Sequence, residues 1–590
     1  MAHSFGSTTR RALLAGGTAG VVGLAGCVRR VRNLSGRQET DQPTLLIKML
    51  PSDTDPFASR IASHLAAGLD AAGIDARPVP TEPEALSQEI LLGRNFDMYV
   101  GQFPFRPHAD PDVLYPLLHS RFDTEIGWQN PFGFSDLDVD ELLERQRAPG
   151  TDRAETVTEI QSRLATAQPL TPIYLPDVIT GVRTDRFTGW ETAVELLPYG
   201  LLRLTPVADA EQLRLVSTDS RITTNWNPIS AVHRESLSLL DLLYEPLVVE
   251  AGERRLPWLA TETDWDAAES TIAVTLRPGL SWHDGESLTA DDVAFTFEFL
   301  DDTALDTAAA PIAAPRFRGE STLVENVVVE TDRQLRIECR DTTQTVAEQT
   351  LTVPVLPEHI WEAYTETVSV AGIELDSETT EALITDNDEP VGSGPFAFSE
   401  VDPGEEVVFS RVDNHFLRST DDDRLADFQD GPQFTELVID VGFSHGGAVE
   451  LLATGEADAT LSPIAPESVS RLADEHAVTT HTHRSYGMYH LGFNTRNSPL
   501  SNTNFRQLVA RLVDKAFLAD DVFERSGKPV ASPLAATDWL ADELQWDGQR
   551  DPVVPFFGSN GEVDVEAARE GFIEAGFRYN DDGELRLPET

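Results

Sequence analysis

The chain has 590 residues, 41% hydrophobic and 24% charged, with a formal net charge of −54. That length holds more than one core, and charge of that sign excludes nucleic acid as a partner, because phosphate would be repelled. Only Lys48, Lys515 and Lys528 are lysines, the other basic residues being arginine; this acidic, lysine-poor balance is expected of a halophilic protein working in near-saturated salt, which screens self-repulsion, and an acidic, soluble protein is the other reading.

The front of the chain reads "TTRRALLAGGTAGVVGLAGCVRR". Paired Arg10 and Arg11 precede an apolar stretch from Ala12 to Ala25, too short and Gly-rich for a strong membrane span. The stretch resembles a twin-arginine export signal, and Leu24-Ala25-Gly26-Cys27 resembles a lipobox, which makes Cys27 the expected lipidation site. An uncleaved anchor is the other reading. Residues 1–27 are thus the expected signal and 28–43 a flexible tether, low in apolar content. With Cys27 used for lipid, Cys339 has no disulfide partner and is expected as a small core residue.

Residues 44–49 are a short apolar run suited to a buried strand, 57–72 have helical spacing ending at Gly73, and "GIDARPVP" follows as a second strand. This order suggests an α/β layer. "RNFDMYVGQF" is a further strand, and helices are predicted over 136–147 and 152–167. In the middle, "TIAVTLR" alternates, Pro278-Gly279 turns, and Thr289 caps a helix beginning near Ala290. Residues 323–340 and 391–412 read as strands, 418–432 as an acidic loop, 503–525 as one helix and 563–576 as another. The closing "FRYNDDGELRLPET" reads as a hairpin around Asn580–Gly583. No phosphate-binding loop, H-E-x-x-H motif or G-x-S-x-G elbow is present.

Five stretches together resemble family 5 extracellular solute-binding proteins, the receptors of dipeptide, oligopeptide and nickel ABC importers. They are "LYEPLVVEAGERRLPWLA" (243–260), "LRPGLSWHDGESLTADDVAFTFEFL" (276–300), "VGSGPFAFSEVDPGEEVVFSRVDNHF" (391–416), "LLATGEADATLSP" (451–463) and "YHLGFNTRNSPLSNTNFRQLVARLVDKAFL" (489–518). His283-Asp284-Gly285 tempts towards catalysis, but Asp-Gly is turn chemistry and no second His or Cys lies near. Gly392 and Gly394 read as tight-backbone positions.

The family's order normally begins with the segment found here at Leu213. The pieces that normally follow the "EAGF" helix stand instead at the front: "TLLIKMLPS", "GRNFDMYVGQF", "ADPDVLYPLL" and "NPFGFSDLDVDELLERQR". The resemblance therefore implies a circularly permuted, two-lobed α/β clamshell of the periplasmic-binding-protein type II, cluster C class, with an extra β-rich domain. An unrelated domain fused to a truncated binding protein is the alternative. Lobe one is expected over 176–243 and 391–484, the extra domain over 244–390, and lobe two over 44–175 and 485–590. The old ends are expected to be fused through about 190–212, and Pro588 is expected near Thr44.

The resemblance implies a monomeric, lipid-anchored receptor on the extracellular face of the cytoplasmic membrane. It captures a small solute, such as an oligopeptide, between its lobes and delivers it to a permease driven by an ATPase. It implies no catalysis, no cofactor and no metal. Matching positions make Asn225, Trp226, Arg484, Ser485, Tyr486 and Gly487 candidate ligand contacts, along with Gly101, Gln102, Phe103 and Phe105. Peptide-binding relatives resemble Gly-Trp-x-x-Asp at the last of these stretches, the aspartate holding the peptide ammonium. Here Gln102 replaces the tryptophan and Phe105 stands where the aspartate belongs, while Asp110 matches the structural acid before proline. A buried ammonium without its carboxylate is costly, so a less cationic, partly apolar or anionic solute is expected. Two other readings stand beside transport. One is a non-transporting receptor. The other is a secreted metal-dependent hydrolase using His481 and His483, which share one strand face, with His490 downstream.

Overall fold

A computed structural model describes residues 42–587 apart from 105–109, 194–197, 208–209, 231–238, 253, 370–377, 465, 473–474 and 486. Cys27, Phe105, Tyr486 and Pro588 therefore lie outside the described residues, as do the export signal and most of the tether.

One twelve-stranded sheet runs through the molecule. From one edge its path is Phe396–Asp402, Glu406–Arg411, Glu436–Asp440, Gln212–Val216, Ala459–Thr460, Leu170–Arg183, Gly487–Phe493, Met98–Pro104, Thr44–Met49 and Asp75–Pro80. Val478–Arg484 and Gly527–Pro529 join on Leu170–Arg183. That strand is long because it serves both halves of the sheet. Its first half pairs with Gly487–Phe493 and Gly527–Pro529, its second with Val478–Arg484 and Ala459. The partners change between Pro176 and Asp177. We call the half built on 44–176 and 487–529 lobe two, and the half built on 177–216 and 396–484 lobe one.

Strand alternation sorts lobe two's core into two layers. Met98 and Val100 join Ile47, Leu491 and Phe493 on one face, whereas Tyr99 and Phe103 join Leu175 and Met488 on the other. Helix Pro56–Ala71 covers the first face; Asp55 caps it, accepting from the backbone N–H of Phe57 and Ala58, and Gly73 ends it at φ +87°. Helices Leu137–Arg147 and Arg153–Ala167, capped by Asp136 and Asp152, cover the second.

Beside lobe one an antiparallel sheet runs Ala260–Asp266, Thr271–Leu276, Gln334–Cys339, Val324–Thr331. Helix Ala290–Asp301 starts on a capping box between Thr289 and Asp292. Cys339 is buried here, and burial pushes its thiol up to about 12. His283 is structural: its Nδ1 accepts from the Gly392 N–H (3.2 Å) and its Nε2 bonds the Gly394 carbonyl (3.0 Å). A Cβ on Gly392 would stand 1.9 Å from the Leu243 carbonyl oxygen.

Two expected elements differ. The predicted 503–525 helix is two helices, Thr503–Ala510 and Lys515–Asp521. Asp514 restarts the helix by accepting from the Phe517 N–H, and its other oxygen takes the Gly561 N–H. The acidic 418–432 loop contains a 3-10 turn, Asp423–Phe428, that buries Leu425 and Phe428. At the back of the chain Arg578–Tyr579 and Leu585–Arg586 form the expected hairpin as a separate two-stranded sheet, and Leu585 shares a core with Leu45 and Ile47.

Candidate functional site

The C-terminal ends of parallel strands gather where the lobes meet, the place where open α/β sheets bind ligands. In lobe two, Thr44–Met49 runs parallel to Asp75–Pro80 and Met98–Pro104, ending near Asp55. In lobe one, Gln212–Val216 runs parallel to Glu436–Asp440 and Ala459–Thr460, ending at Ser217, Phe443 and Ser462.

The chain passes between the lobes along Leu170–Arg183 and again at 484–487. The two crossings lie side by side. Arg484 is the cross-strand partner of Asp177, and the Ser485 N–H donates to the Pro176 carbonyl at 3.0 Å. On the other edge, Asp177 N–H donates to the Ser526 carbonyl at 3.1 Å. Ser485 Oγ closes the turn locally, accepting from the Gly487 N–H (2.9 Å) and donating to the Gly487 carbonyl (3.1 Å). A Cβ on Gly487 would meet Gln102 Oε1 at 2.7 Å, so a side chain there would displace the Gln102 amide.

Register brings the expected residues Gly101, Gln102 and Phe103 opposite His490, Tyr489 and Met488. Gly101 and Gln102 are partly exposed; Phe103 is buried edge-on to Trp128 at 5.4 Å. These three thus lie with Arg484, Ser485 and Gly487 around the crossing. Arg484 is exposed. Lys528, beside Leu175 on the opposite edge, has its ammonium pushed down, first by burial and then by Arg484.

Asn225 and Trp226 are placed differently. Trp226 is 1% exposed, sealed against Phe398 and Phe409, so the apolar wall expected of it lies inside lobe one's core. Asn225 Nδ2 donates to Asp386 and its Oδ1 accepts from the Asn227 N–H, a local turn. Asp110 accepts from the Asp112 N–H at 2.8 Å and from Arg153 Nη1 at 2.9 Å, which occupies it structurally.

Sequence reasoning missed Asp55. Besides capping its helix, its carboxylate accepts from Tyr489 Oη at 3.0 Å. Burial pushes it up, while those bonds and His445 of the opposite lobe pull it down. His445 opens helix His445–Thr454, and its Nδ1 bonds the Pro463 carbonyl at 3.1 Å. A hydroxyl cluster lies beside it: Ser462 Oγ takes the Thr218 N–H (2.9 Å) and contacts Ser217 Oγ (3.1 Å). The available signal was position, each residue lying in or at the end of the loop that follows a parallel strand.

His490 is fully buried, its Nε2 on Tyr99 Oη at 2.8 Å, and burial holds it down to about 4. Among the described residues no three His, Cys, Asp or Glu side chains gather as a metal site. Two α/β lobes joined by paired crossing strands define a clamshell binding protein.

Residues 255–590 match the family model described as bacterial extracellular solute-binding proteins, family 5 Middle, and the chain belongs to that family. It is 22% identical over 315 residues to "Di/tripeptide-binding protein 1" of Pseudomonas aeruginosa, covering 51% of this chain and 53% of that protein. It is 23% identical over 318 residues to "Oligopeptide-binding protein AppA" of Bacillus subtilis, covering 53% and 50%. The chain spans about half the length of the curated relatives it matches. Among solved structures, NikZ from Campylobacter jejuni in complex with Ni(L-His) aligns at TM-score 0.45 and 18% identity, over 64% of this chain and 66% of that one. AppA from Bacillus subtilis in complex with a nonapeptide aligns at TM-score 0.45 and 17% identity, over 65% and 68%.

Proposed function

We propose that the protein is a lipid-anchored, monomeric receptor at the cell surface that captures a small solute between its lobes and hands it to an ABC permease. The observation that carries this reading is the paired crossing at Pro176–Asp177 and Arg484–Gly487, with strand ends of both lobes converging on it. Closure about such a crossing is driven by contacts that the solute makes only in the closed state.

The segmentation into lobe one (176–243, 391–484), extra domain (244–390) and lobe two (44–175, 485–590) belongs to this reading, and so does circular permutation. A strand from the back of the chain sits between strands from its front: Gly487–Phe493 lies between Met98–Pro104 and Leu170–Arg183. Insertion of this kind favours one permuted fold over an appended domain.

The solute is peptide-like in size and anionic or partly apolar. Arg484 and Lys528 flank the crossing as cations. Mass spectrometry of solutes released from protein purified in concentrated salt tests this. Recovery of anionic or apolar solutes supports it, and recovery of ordinary free peptides overturns the solute class while keeping the receptor.

A further inference from the structure

Lobe two touches the extra domain beside lobe one at a second place that contains no residue of either crossing. From lobe two come Asp112, Glu125 and Arg147; from the extra domain come Gly319, Thr322, Thr342, Thr343 and Arg318. The Arg147 guanidinium is fixed from its own side. Its Nε and Nη2 each donate to a different oxygen of Asp112 at 2.6 Å, and it lies 3.4 Å from the Tyr115 ring centroid. So held, it reaches across the boundary: Nη1 donates to Thr322 Oγ1 at 3.1 Å, and Nη2 to the Gly319 carbonyl at 3.0 Å. The Arg147 backbone carbonyl accepts from the Thr343 N–H and from Thr342 Oγ1, both at 3.1 Å.

A second arginine reaches the other way. Arg318 Nε and Nη2 donate to the Glu125 carboxylate at 2.9 and 3.1 Å, and Nη1 donates to Asp301 at 3.3 Å. Around these bonds the surfaces fit closely: Pro315 fills the space above Gly127, and Pro116 lies against Gly319. Leu92 and Ile126 of lobe two join the core shared by lobe one and the extra domain.

The chemistry suits a contact made and broken. Donors and acceptors are matched across it, and each arginine keeps a carboxylate or a ring on its own side when the halves part. Lobe two retains Asp112–Arg147–Tyr115, and the extra domain retains Asp301–Arg318. Neither half is left with a lone buried charge, which would otherwise forbid opening. Leu92 and Ile126 are the apolar part of a contact whose other members are polar, and a contact of that mixed, modest character permits relative domain motion. We propose that the Arg147 and Arg318 contacts form a latch that holds the lobes shut over the crevice and parts when solute enters or leaves. This rests on the two-lobed reading.

The test uses the full chain with spin labels at Asp70→Cys on lobe two and Glu450→Cys on lobe one. Both positions are exposed and lie away from the latch. Arg318→Glu places three carboxylates together and should raise the long-distance population about tenfold or more. The swapped pair Glu125→Arg with Arg318→Glu should return the short distance. Thr322→Val, a gentler change, should lengthen the distance to a smaller degree. An unchanged distance in both Arg318→Glu and Thr322→Val overturns the latch, as does equal lengthening in the swapped pair. The labels need no solute, so failure to recover one would bear on the transport reading and leave the latch standing.

Discussion

Gln42 and Leu585 share one acceptor: both donate to the Gly73 carbonyl oxygen, Gln42 through Nε2 at 3.0 Å and Leu585 through its backbone N–H at 2.8 Å. Residues from the front and the back of the described chain are thus fastened to one turn. Tyr579 Oη adds a bond to the neighbouring Ala72 carbonyl at 2.9 Å. A chain joined from Leu587 to Gln42 by a short Gly/Ser linker, and opened between Val207 and Ala210, should fold. Its melting temperature should stay within about 4 °C of the parent, because a change of about 1–2 kcal/mol moves a chain this long little. An unfolded product would count against permutation.

His490 makes the protein sensitive to mild acid. Burial holds the folded imidazole down to about 4, whereas the unfolded chain takes a proton at the ordinary value of 6.5. The stabilising contribution is complete above pH 6.5 and is lost as pH falls from there through 4; it amounts to about 3 kcal/mol. Denaturant titrations at pH 7.5 and 4.5 should show that loss. His490→Gln should flatten the dependence, and an equally steep profile in the variant would assign the effect elsewhere.

The family motif at 391–395 has a steric cause that can be measured. A Cβ on Gly392 would stand 1.9 Å from a backbone oxygen, so Gly392→Ala should cost about 3 kcal/mol or prevent folding. Gly101→Ala is the control. Its Cβ meets nothing nearer than the Tyr99 ring at 3.7 Å, and a change within about 1 kcal/mol is expected from chemical denaturation.

Glu245 is fully buried yet well supplied. Trp258 Nε1 (2.6 Å) and His415 Nε2 (2.8 Å) meet one oxygen and Ser393 Oγ (3.0 Å) the other. Glu245→Ala orphans all three and should cost about 3–5 kcal/mol. Glu245→Gln keeps the volume and one acceptor and should cost less. Equal midpoints for the two variants would show that the carboxylate alone, and not the side-chain volume or the remaining amide acceptor, carries the effect.

At the crossing, Arg484→Glu should lower the yield of co-purified anionic solute about tenfold in quantitative mass spectrometry, with unfolding unchanged. A yield equal to the parent's would remove Arg484 from the site.

The parts of the site legible in the sequence are those that depend on chain order. Gly101, Gln102 and Phe103, with Ser485 and Gly487, follow from motif position, because a strand's register carries its neighbours with it. Trp226 shows the limit: an aromatic beside a strand end reads the same whether it faces solute or, as here, Phe409. Asp55 was hidden because "SDTDP" is also ordinary helix-capping sequence, and only the fold brings Tyr489 Oη to it across a separation of 434 residues. The break between Thr503–Ala510 and Lys515–Asp521 was hidden because apolar spacing continues through Leu512 and Val513, and both are buried in the turn.

The shared fastening at Gly73 also decides how the molecule carries load. Thr44 opens directly into lobe two's sheet, beside the hairpin that closes it. Any pull transmitted through residues before Thr44 is therefore borne by lobe two alone. On the proposed reading of an anchored receptor, lobe one and the extra domain, joined to lobe two along the chain by the two crossing strands, are the jaw that swings, and lobe two is the fixed base.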